Sequence, residues 1–172
     1  LEPAGTPLAK QIRHLLRDAH EETLAPETEL LLMFASRAQH VREVIRPALQ
    51  RGAFVVSDRF TDSSYAYQVS GRGLDHGLVE ELERKVVGLK PGLTLLLDLD
   101  VREGRARANG RDLWPDRIES EQDDFFERVR EGFRKRAIAE PDRFRVIDAS
   151  QSPATVGASV SSTVARWLEE QL

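Results

Sequence analysis

Apolar residues recur at helical spacing in several stretches of the chain. The two clearest patterns cover residues 7–20 and 27–51, where apolar side chains return every three or four positions. Patterns of the same kind cover residues 78–87, 126–137 and 152–168. This periodicity places the apolar side chains on one face of a helix. It therefore predicts amphipathic helices that pack on a common core.

Three short apolar runs between these stretches predict buried β-strands. They cover residues 53–57, 93–98 and 144–148. Strands that alternate with helices favour an α/β fold, with a parallel sheet flanked by helices. Three strands are few for a sheet covered by so many helices. We therefore expect the first strands of the sheet to be missing from this chain.

The strand ends carry the first candidate site residues. Asp58 and Arg59 directly follow the first apolar run, and Asp98 closes the second. In open α/β sheets, ligands bind beyond the carboxyl ends of the strands. The planar guanidinium of Arg59 suits a phosphate, and the carboxylate of Asp58 could orient it or contact hydrated Mg²⁺. The alternative interpretation is a structural ion pair between Asp58 and Arg59 at a strand end.

The polar residues that follow Arg59 suit recognition of a nucleotide. Ser64, Tyr67 and Gln68 offer hydroxyl and amide groups that could bind a sugar hydroxyl or the edge of a base. In the alternative interpretation they belong to an ordinary polar loop.

A second candidate group lies in the predicted helix over residues 27–51. Phe34 and Arg37 are three residues apart and share a helix face. An aromatic ring and a guanidinium on one face could stack on a base and bind its carbonyl. The alternative is a core phenylalanine beside a solvated arginine.

An arginine-rich segment forms the third candidate group. Its run over residues 109–116 favours a loop between helices. Arginines on such a loop could stabilise charge on a transferring phosphoryl group, although a charged run is more often a solvated surface. The arginines concerned are Arg102, Arg105, Arg107, Arg111 and Arg117.

The composition of the chain excludes several classes of partner and site. The 172 residues suit a single domain with a substantial core, and the 29 acidic and 25 basic residues give a net charge of −4. That balance argues against nucleic-acid or anionic-membrane partners. The chain has no cysteine, which excludes disulfides and thiolate metal sites and fits a cytoplasmic location. Its apolar runs are too short to span a bilayer.

Four sequence segments carry a family resemblance. EPAGT at residues 2–6, LLLMFASRAQH at 30–40, DRFTDSSYAYQ at 58–68 and DRIE at 116–119 occur in the order and approximate spacing of bacterial thymidylate kinases. The chain resembles this family over nearly its whole length. The resemblance implies phosphoryl transfer from ATP to dTMP with Mg²⁺, in a cytoplasmic homodimer.

The resemblance also implies roles for individual residues near the acceptor nucleotide. Arg59 would bind the dTMP phosphate, with Asp58 beside it near the metal. Arg37 would bind the thymine carbonyl, and either Phe34 or Met33 would lie against the ring. The remaining acceptor-site positions are Arg13 toward the phosphate, Ser64 and Gln68 toward thymine, and Tyr67 against the sugar.

Residues 105–120 correspond to the lid of this family, which supplies catalytic arginines to ATP in bacterial members. Arg107, Arg111 and Arg117 are the candidates here.

One element of the family pattern is absent from the sequence. Relatives begin with a strand and a Gly-x-x-x-x-Gly-Lys-Ser/Thr loop that cradles the ATP phosphates. No such motif occurs here, so we expect a single kinase-like domain that is incomplete at its N-terminus. Two alternatives stay open: a non-catalytic nucleotide-binding remnant, and a kinase for another nucleotide or deoxynucleoside.

Overall fold

A computed structural model describes residues 2, 5–17, 23–108, 118 and 121–171. The first predicted helix is confirmed as α1, Pro7–Arg17, and residues 18–20 of that prediction lie outside the described residues. Thr6 caps it, because its Oγ1 accepts a hydrogen bond from the amide of Ala9 at 3.1 Å. Leu16, on the apolar face, is fully buried.

The second predicted helix is also confirmed, with an irregular middle. It comprises α2 (Pro26–His40), a π-helical segment π1 (Val41–Ile45) and α3 (Arg46–Gln50). The widened turn ends two residues before Pro47, which has no N–H to donate to the carbonyl of residue 43. The helix ends at Gln50, and Gly52 follows its C-cap with a φ of 76°, in the left-handed region that glycine adopts readily. Helices α1 and α2 pack against each other.

Two of the three predicted strands are present. Strand β1 (Thr94–Asp98) pairs in parallel with β2 (Phe144–Asp148), with Asp98 opposite Asp148. The predicted α/β fold with a parallel sheet is therefore confirmed. The helices around these strands are α6 (Val101–Ala108), α7 (Asp123–Ala139) and α8 (Pro153–Glu169).

The predicted buried strand over residues 53–57 is wrong. This run forms no sheet, and its side chains face solvent, with Phe54 76% and Val56 96% exposed. A strand needs a neighbour to take up its backbone hydrogen bonds and to cover its apolar side chains. No strand among the described residues pairs with this run, so apolarity alone did not make it a strand.

The segment after Arg59 is helical, and the interpretation of a polar loop is wrong. It forms α4 (Thr61–Ser64) and a second π-helical segment, π2 (Tyr65–Gly71). Helix α7 packs closely on π2, because Gly132 lies at their contact. A Cβ at Gly132 would lie 2.5 Å from Ser70 Oγ and 3.0 Å from the Cα of Ala66. Any larger residue there would push the two elements apart.

The remaining described helix comprises α5 (His76–Leu82) and π3 (Glu83–Val87), capped by the carboxylate of Asp75. Two apolar clusters hold the helices together. The larger joins α2, π1, α5 and π3 through residues that include Leu30, Phe34, Val79 and Val87. The smaller joins π2 to α7 through Ala66, Phe125 and Val129. None of the described helices combines the length and the apolar character that a membrane span requires.

Candidate acceptor site

Arg37 lies at the centre of the candidate site. It is 3% exposed, so water satisfies almost none of its five N–H donors. Its Nε donates to Glu2 Oε2 at 2.7 Å, its Nη1 to Ser64 Oγ at 3.2 Å and its Nη2 to the carbonyl of Phe60 at 3.2 Å. Three of its N–H groups are thus engaged within the described part of the chain. Each terminal nitrogen keeps one N–H for a ligand.

The carboxylate of Glu2 offsets the free-energy cost of burying the charge of Arg37. A buried charge is stable only when it is paired and hydrogen-bonded, and Glu2 is itself only 5% exposed. Its second oxygen lies 3.5 Å from His40 Nδ1. Gly5 allows the segment that carries Glu2 to approach α2, because a Cβ at Gly5 would lie 2.0 Å from His40 Cδ2.

Phe34 and Met33 differ in their surroundings. Phe34 is 1% exposed and belongs to the larger apolar cluster, and the guanidinium carbon of Arg37 lies 4.9 Å from its ring centroid. Met33 is half-buried. The interpretation of Phe34 as a core residue is therefore confirmed, whereas the interpretation of Arg37 as a solvated residue is wrong.

The buried polar side chains of Arg37, Ser64 and Gln68 form a polar wall, and Gln68 is its member on π2. It is 1% exposed, and its Nε2 donates to Glu29 Oε1 at 2.8 Å. Glu29 lies in the first turn of α2 and also accepts from Arg72 Nη2 at 3.3 Å. Burial lowers the pKa of Arg72, but hydrogen bonds to Glu121 and the charge of Glu29 outweigh it and raise that pKa. These contacts join α2 and π2 beside Arg37.

The side chains of Tyr67 and Arg59 connect this wall to the end of the exposed apolar run over residues 53–57. The Tyr67 ring meets Phe125 and Phe133 edge-on at centroid distances of 6.1 and 6.2 Å. Arg59 stacks on the same ring, with its guanidinium carbon 4.8 Å from the centroid. Arg59 is exposed and so remains accessible to a ligand.

The backbone of Arg59 is strained. Its φ is 65°, in the left-handed region that costs a non-glycine residue about 1–2 kcal/mol. Ser57 helps to hold this conformation, because its Oγ donates to the carbonyl of Arg59 at 2.8 Å. Strain of this kind is concentrated at functional sites.

Asp58 is exposed, and its carbonyl accepts a hydrogen bond from the amide of Glu2 at 3.0 Å. The described residues show no ion pair between Asp58 and Arg59, so the interpretation as a structural pair is wrong. No group of three or more acidic or histidine side chains among the described residues could hold a metal ion. Asp58 therefore offers a single carboxylate at this position.

A buried ionic network fixes α4 to the sheet. Asp62 accepts two hydrogen bonds from Arg143, at 2.7 and 2.8 Å, and one from Arg136 at 3.1 Å. Arg143 also donates to Thr94 Oγ1 at 2.7 Å, at the start of β1. Burial would raise the pKa of Glu140, but its hydrogen bond to Arg143 and the charge of Arg136 lower it to about 2. This network sets the position of the residues that follow Arg59.

Asp98, at the end of β1, is paired with an arginine of α7. It accepts from Arg130 Nε at 2.9 Å and from Nη2 at 3.1 Å, and hydrogen bonding to Arg130 is the main cause that lowers the pKa of Asp98. Within the described residues, its partners are therefore structural.

Neither Arg13 nor Arg107 has a hydrogen bond to this cluster among the described residues. Arg13 is half-buried on α1. Arg107 donates to the carbonyls of Ala149 and Ser150 at 2.8 and 3.2 Å, and to Glu103 at 2.6 Å. Most of the predicted lid, including Arg111 and Arg117, lies outside the described residues.

Sequence reasoning did not identify Glu29, Asp62 and Arg143. Two signals were available for the first two. Glu29 lies eight residues before Arg37 on the same helix face, and Asp62 is the only charged residue of the sequence from Phe60 to Gly71. Arg143 gave no local signal, because its partner Asp62 lies 81 residues away.

The fold and the site define an α/β protein in which helices build a buried, arginine-centred polar wall beside an exposed, strained arginine. The family model for thymidylate kinase matches residues 1–160. The thymidylate kinase of Pseudomonas syringae pv. tomato (strain DC3000) is 52% identical over 171 residues, covering 99% of this chain and 81% of the relative. That of Ectopseudomonas mendocina is 50% identical over 169 residues, covering 98% and 80%.

A solved structure agrees with these relatives. The crystal structure of thymidylate kinase from Ehrlichia chaffeensis superposes with a TM-score of 0.73 at 32% identity, covering 95% of this chain and 77% of that one. The chain belongs to the thymidylate kinase family.

Proposed function

We propose that this protein binds dTMP at the Arg37 wall and transfers the γ-phosphoryl group of ATP to it, giving dTDP and ADP. Family membership supports the reaction. The observation that carries the assignment of the site is the buried guanidinium of Arg37, which three protein contacts hold in place and which keeps one N–H on each terminal nitrogen. Fixed donors of this kind suit a base carbonyl.

The base lies between the Arg37 guanidinium and the side chains of α2 and π2. Met33 contacts the ring, because Phe34 is enclosed in the core and its ring is already stacked with Arg37. Gln68 contributes a second polar group, and Ser64 acts mainly by holding Arg37 Nη1. Methionine is adaptable and polarisable, so it can pack on a flat ring without being aromatic.

The sugar and phosphate lie toward the exposed run. Tyr67, held by Phe125 and Phe133, limits the space beside the sugar, which disfavours a 2′-hydroxyl. Arg59 binds the phosphate from its stacked position on Tyr67, and Arg13 contributes from α1. The guanidinium fork matches the geometry of phosphate oxygens.

The protein contributes alignment and charge rather than covalent chemistry, as is general for phosphoryl transfer. Mg²⁺ neutralises charge on the ATP phosphates, and it commonly uses one or two carboxylates and several waters. Asp58 fits that requirement as one exposed carboxylate. Arg111 and Arg117 are the proposed lid residues toward ATP. Arg107 would first have to leave the carbonyls of Ala149 and Ser150.

Calorimetric titration with a panel of nucleoside monophosphates tests the acceptor site. We expect binding of dTMP, with dCMP, dGMP and thymidine binding at least about tenfold more weakly. A coupled assay for ADP release with ATP and dTMP then tests the reaction. Preference for another monophosphate would contradict the proposed substrate, and dTMP binding without turnover would leave only a nucleotide-binding protein.

We also propose that the protein is a cytoplasmic homodimer, as the family resemblance implies. Sedimentation equilibrium measures the mass directly, and a monomer at assay concentration would contradict the dimer.

A further inference from the structure

Glu29 is a buried carboxylate that the proposed reaction leaves without a role. It is 1% exposed and lies in the first turn of α2. Burying a carboxylate is costly unless hydrogen bonds satisfy it. Its Oε1 accepts from Gln68 Nε2 at 2.8 Å, and its Oε2 accepts from Arg72 Nη2 at 3.3 Å.

The contact with Glu29 leaves the Gln68 carboxamide only one orientation. An ionised carboxylate only accepts hydrogen bonds, whereas a carboxamide has an accepting oxygen on one branch and a donating NH₂ on the other. The reversed amide would place two oxygens 2.8 Å apart, which is repulsive. Gln68 therefore turns its NH₂ toward Glu29 and its Oε1 away from it. Among the described residues, no donor is hydrogen-bonded to that oxygen.

The oriented amide and the donors of Arg37 belong to contacts between the same two helices. Glu29 and Arg37 are two turns apart on one face of α2, and Ser64 and Gln68 are four residues apart across α4 and π2. The contact between Arg37 and Ser64 and the contact between Glu29 and Gln68 join the same two helices side by side. The wall thus presents N–H groups from Arg37 and a carbonyl oxygen from Gln68.

This pattern matches thymine and opposes cytosine. Thymine has an accepting O4 beside a donating N3–H, whereas cytosine has a donating amino group beside an accepting N3. We propose that Glu29 is a positioning residue for base selectivity, which holds the Gln68 oxygen in place to accept N3–H and repel an accepting N3. This inference rests on the proposed function, since it assigns a role within the dTMP site.

Among the described residues, Arg72 is the partner through which Glu29 would act in a purely structural role. That arginine has a second carboxylate partner, Glu121, and stacks on Phe125 with its guanidinium carbon 4.6 Å from the ring centroid. Glu121→Gln is therefore a matched control. This substitution removes the negative charge of a second carboxylate that pairs with Arg72, but it leaves the contact between Glu29 and Gln68 intact.

The test is calorimetric titration of dTMP and dCMP into the full chain and its Glu29→Gln and Glu121→Gln variants. Glutamine at position 29 can pair with either orientation of Gln68. We therefore expect the dTMP-to-dCMP affinity ratio to fall by about tenfold or more in Glu29→Gln and by less than about twofold in Glu121→Gln. Glu29→Asp, which keeps the carboxylate, should recover part of the ratio.

An unchanged dTMP-to-dCMP affinity ratio in Glu29→Gln, or an equal fall of that ratio in Glu121→Gln, would overturn this proposal. The proposed function would still stand in that case, provided that the wild-type protein prefers dTMP. A wild-type protein that does not bind dTMP would overturn both. If Glu29→Gln does not fold, the proposal is tested instead by hydrogen exchange in the wild-type protein. The side-chain amide protons of Gln68, identified in NMR spectra by their loss in Gln68→Leu, should exchange slowly with water, and rapid exchange would overturn the proposal.

Discussion

Two neighbouring regions of this molecule are built in opposite ways. The region around Arg37 and Gln68, proposed to face the base (the base-facing wall), is buried, and tertiary contacts engage most of its polar groups. The region around Arg59, proposed to bind the phosphate (the phosphate-facing end), is exposed and strained, and it follows an apolar run that no described strand covers. In the first region the contacts that stabilise the fold also prepare the site. In the second, the site residue is held in a conformation that costs stability.

The largest expected effect is on the network that supports both regions. Asp62→Asn removes the charge that pairs with Arg143 and Arg136 in the interior. We expect the free energy of unfolding to fall by about 3 kcal/mol, because Arg143 and Arg136 each lose one of two carboxylate partners and keep only Glu140. Urea denaturation measures the change. The control Asp142→Asn alters an exposed aspartate and should stay within about 0.5 kcal/mol, and an equally small loss in Asp62→Asn would show that the network is not structural.

The same network predicts a pH dependence. The pKa of Glu140 is about 2 in the folded protein, below its ordinary value of 4.5, so its stabilisation is present above pH 4.5 and is lost as the pH falls toward 2. Glu140→Gln should lower the free energy of unfolding at pH 7 by about 2 kcal/mol and flatten its decline in acid. Denaturation across pH 2.5–7 checks this, with Glu131→Gln, an exposed control, keeping the wild-type slope. A wild-type slope in Glu140→Gln would contradict it.

The base-facing wall should depend on the geometry of Arg37 and not only on its charge. Lysine cannot make the three separate contacts with Glu2, Ser64 and Phe60. We expect Arg37→Lys to weaken dTMP binding by about 2 kcal/mol, or roughly 30-fold, measured by calorimetry. Arg42→Lys, at an exposed position of π1, should bind dTMP like the wild type. Normal binding by Arg37→Lys would mean that this wall does not read the base.

The phosphate-facing end offers a smaller but more selective comparison. Arg59→Ala and Arg59→Gly both lose the guanidinium, but only glycine relieves the left-handed backbone. We expect the glycine variant to exceed the alanine variant in stability by about 1 kcal/mol, with dTMP affinity equally reduced in both. Thermal denaturation compares them. A less stable glycine variant would contradict the assignment of strain at this position.

The contrast between the regions also explains what could be predicted from the sequence. The helices α1, α2 to α3, α5, α7 and α8 were predicted from the spacing of apolar residues, and β1 and β2 from short apolar runs. The helices α4 and α6 and the segment π2 were not predicted, because polar residues interrupt the apolar spacing in their sequences. The predicted strand over residues 53–57 failed because apolarity cannot tell whether a neighbouring strand exists. Arg37 and Arg59 were identified as candidates from their segments. The partnership of Glu29 with Gln68 joins residues 39 apart and exists only in the folded chain.

The central claim is that separate surfaces read the base and bind the phosphate. The most direct measurement is the dTMP-to-dCMP affinity ratio, determined by calorimetry for the wild type and for Arg59→Ala. The account predicts that Arg59→Ala weakens both nucleotides by a similar factor of about tenfold or more and keeps the ratio within about twofold. A ratio that collapses toward one in Arg59→Ala would contradict it, because base selectivity would then depend on the exposed arginine and not on the buried wall.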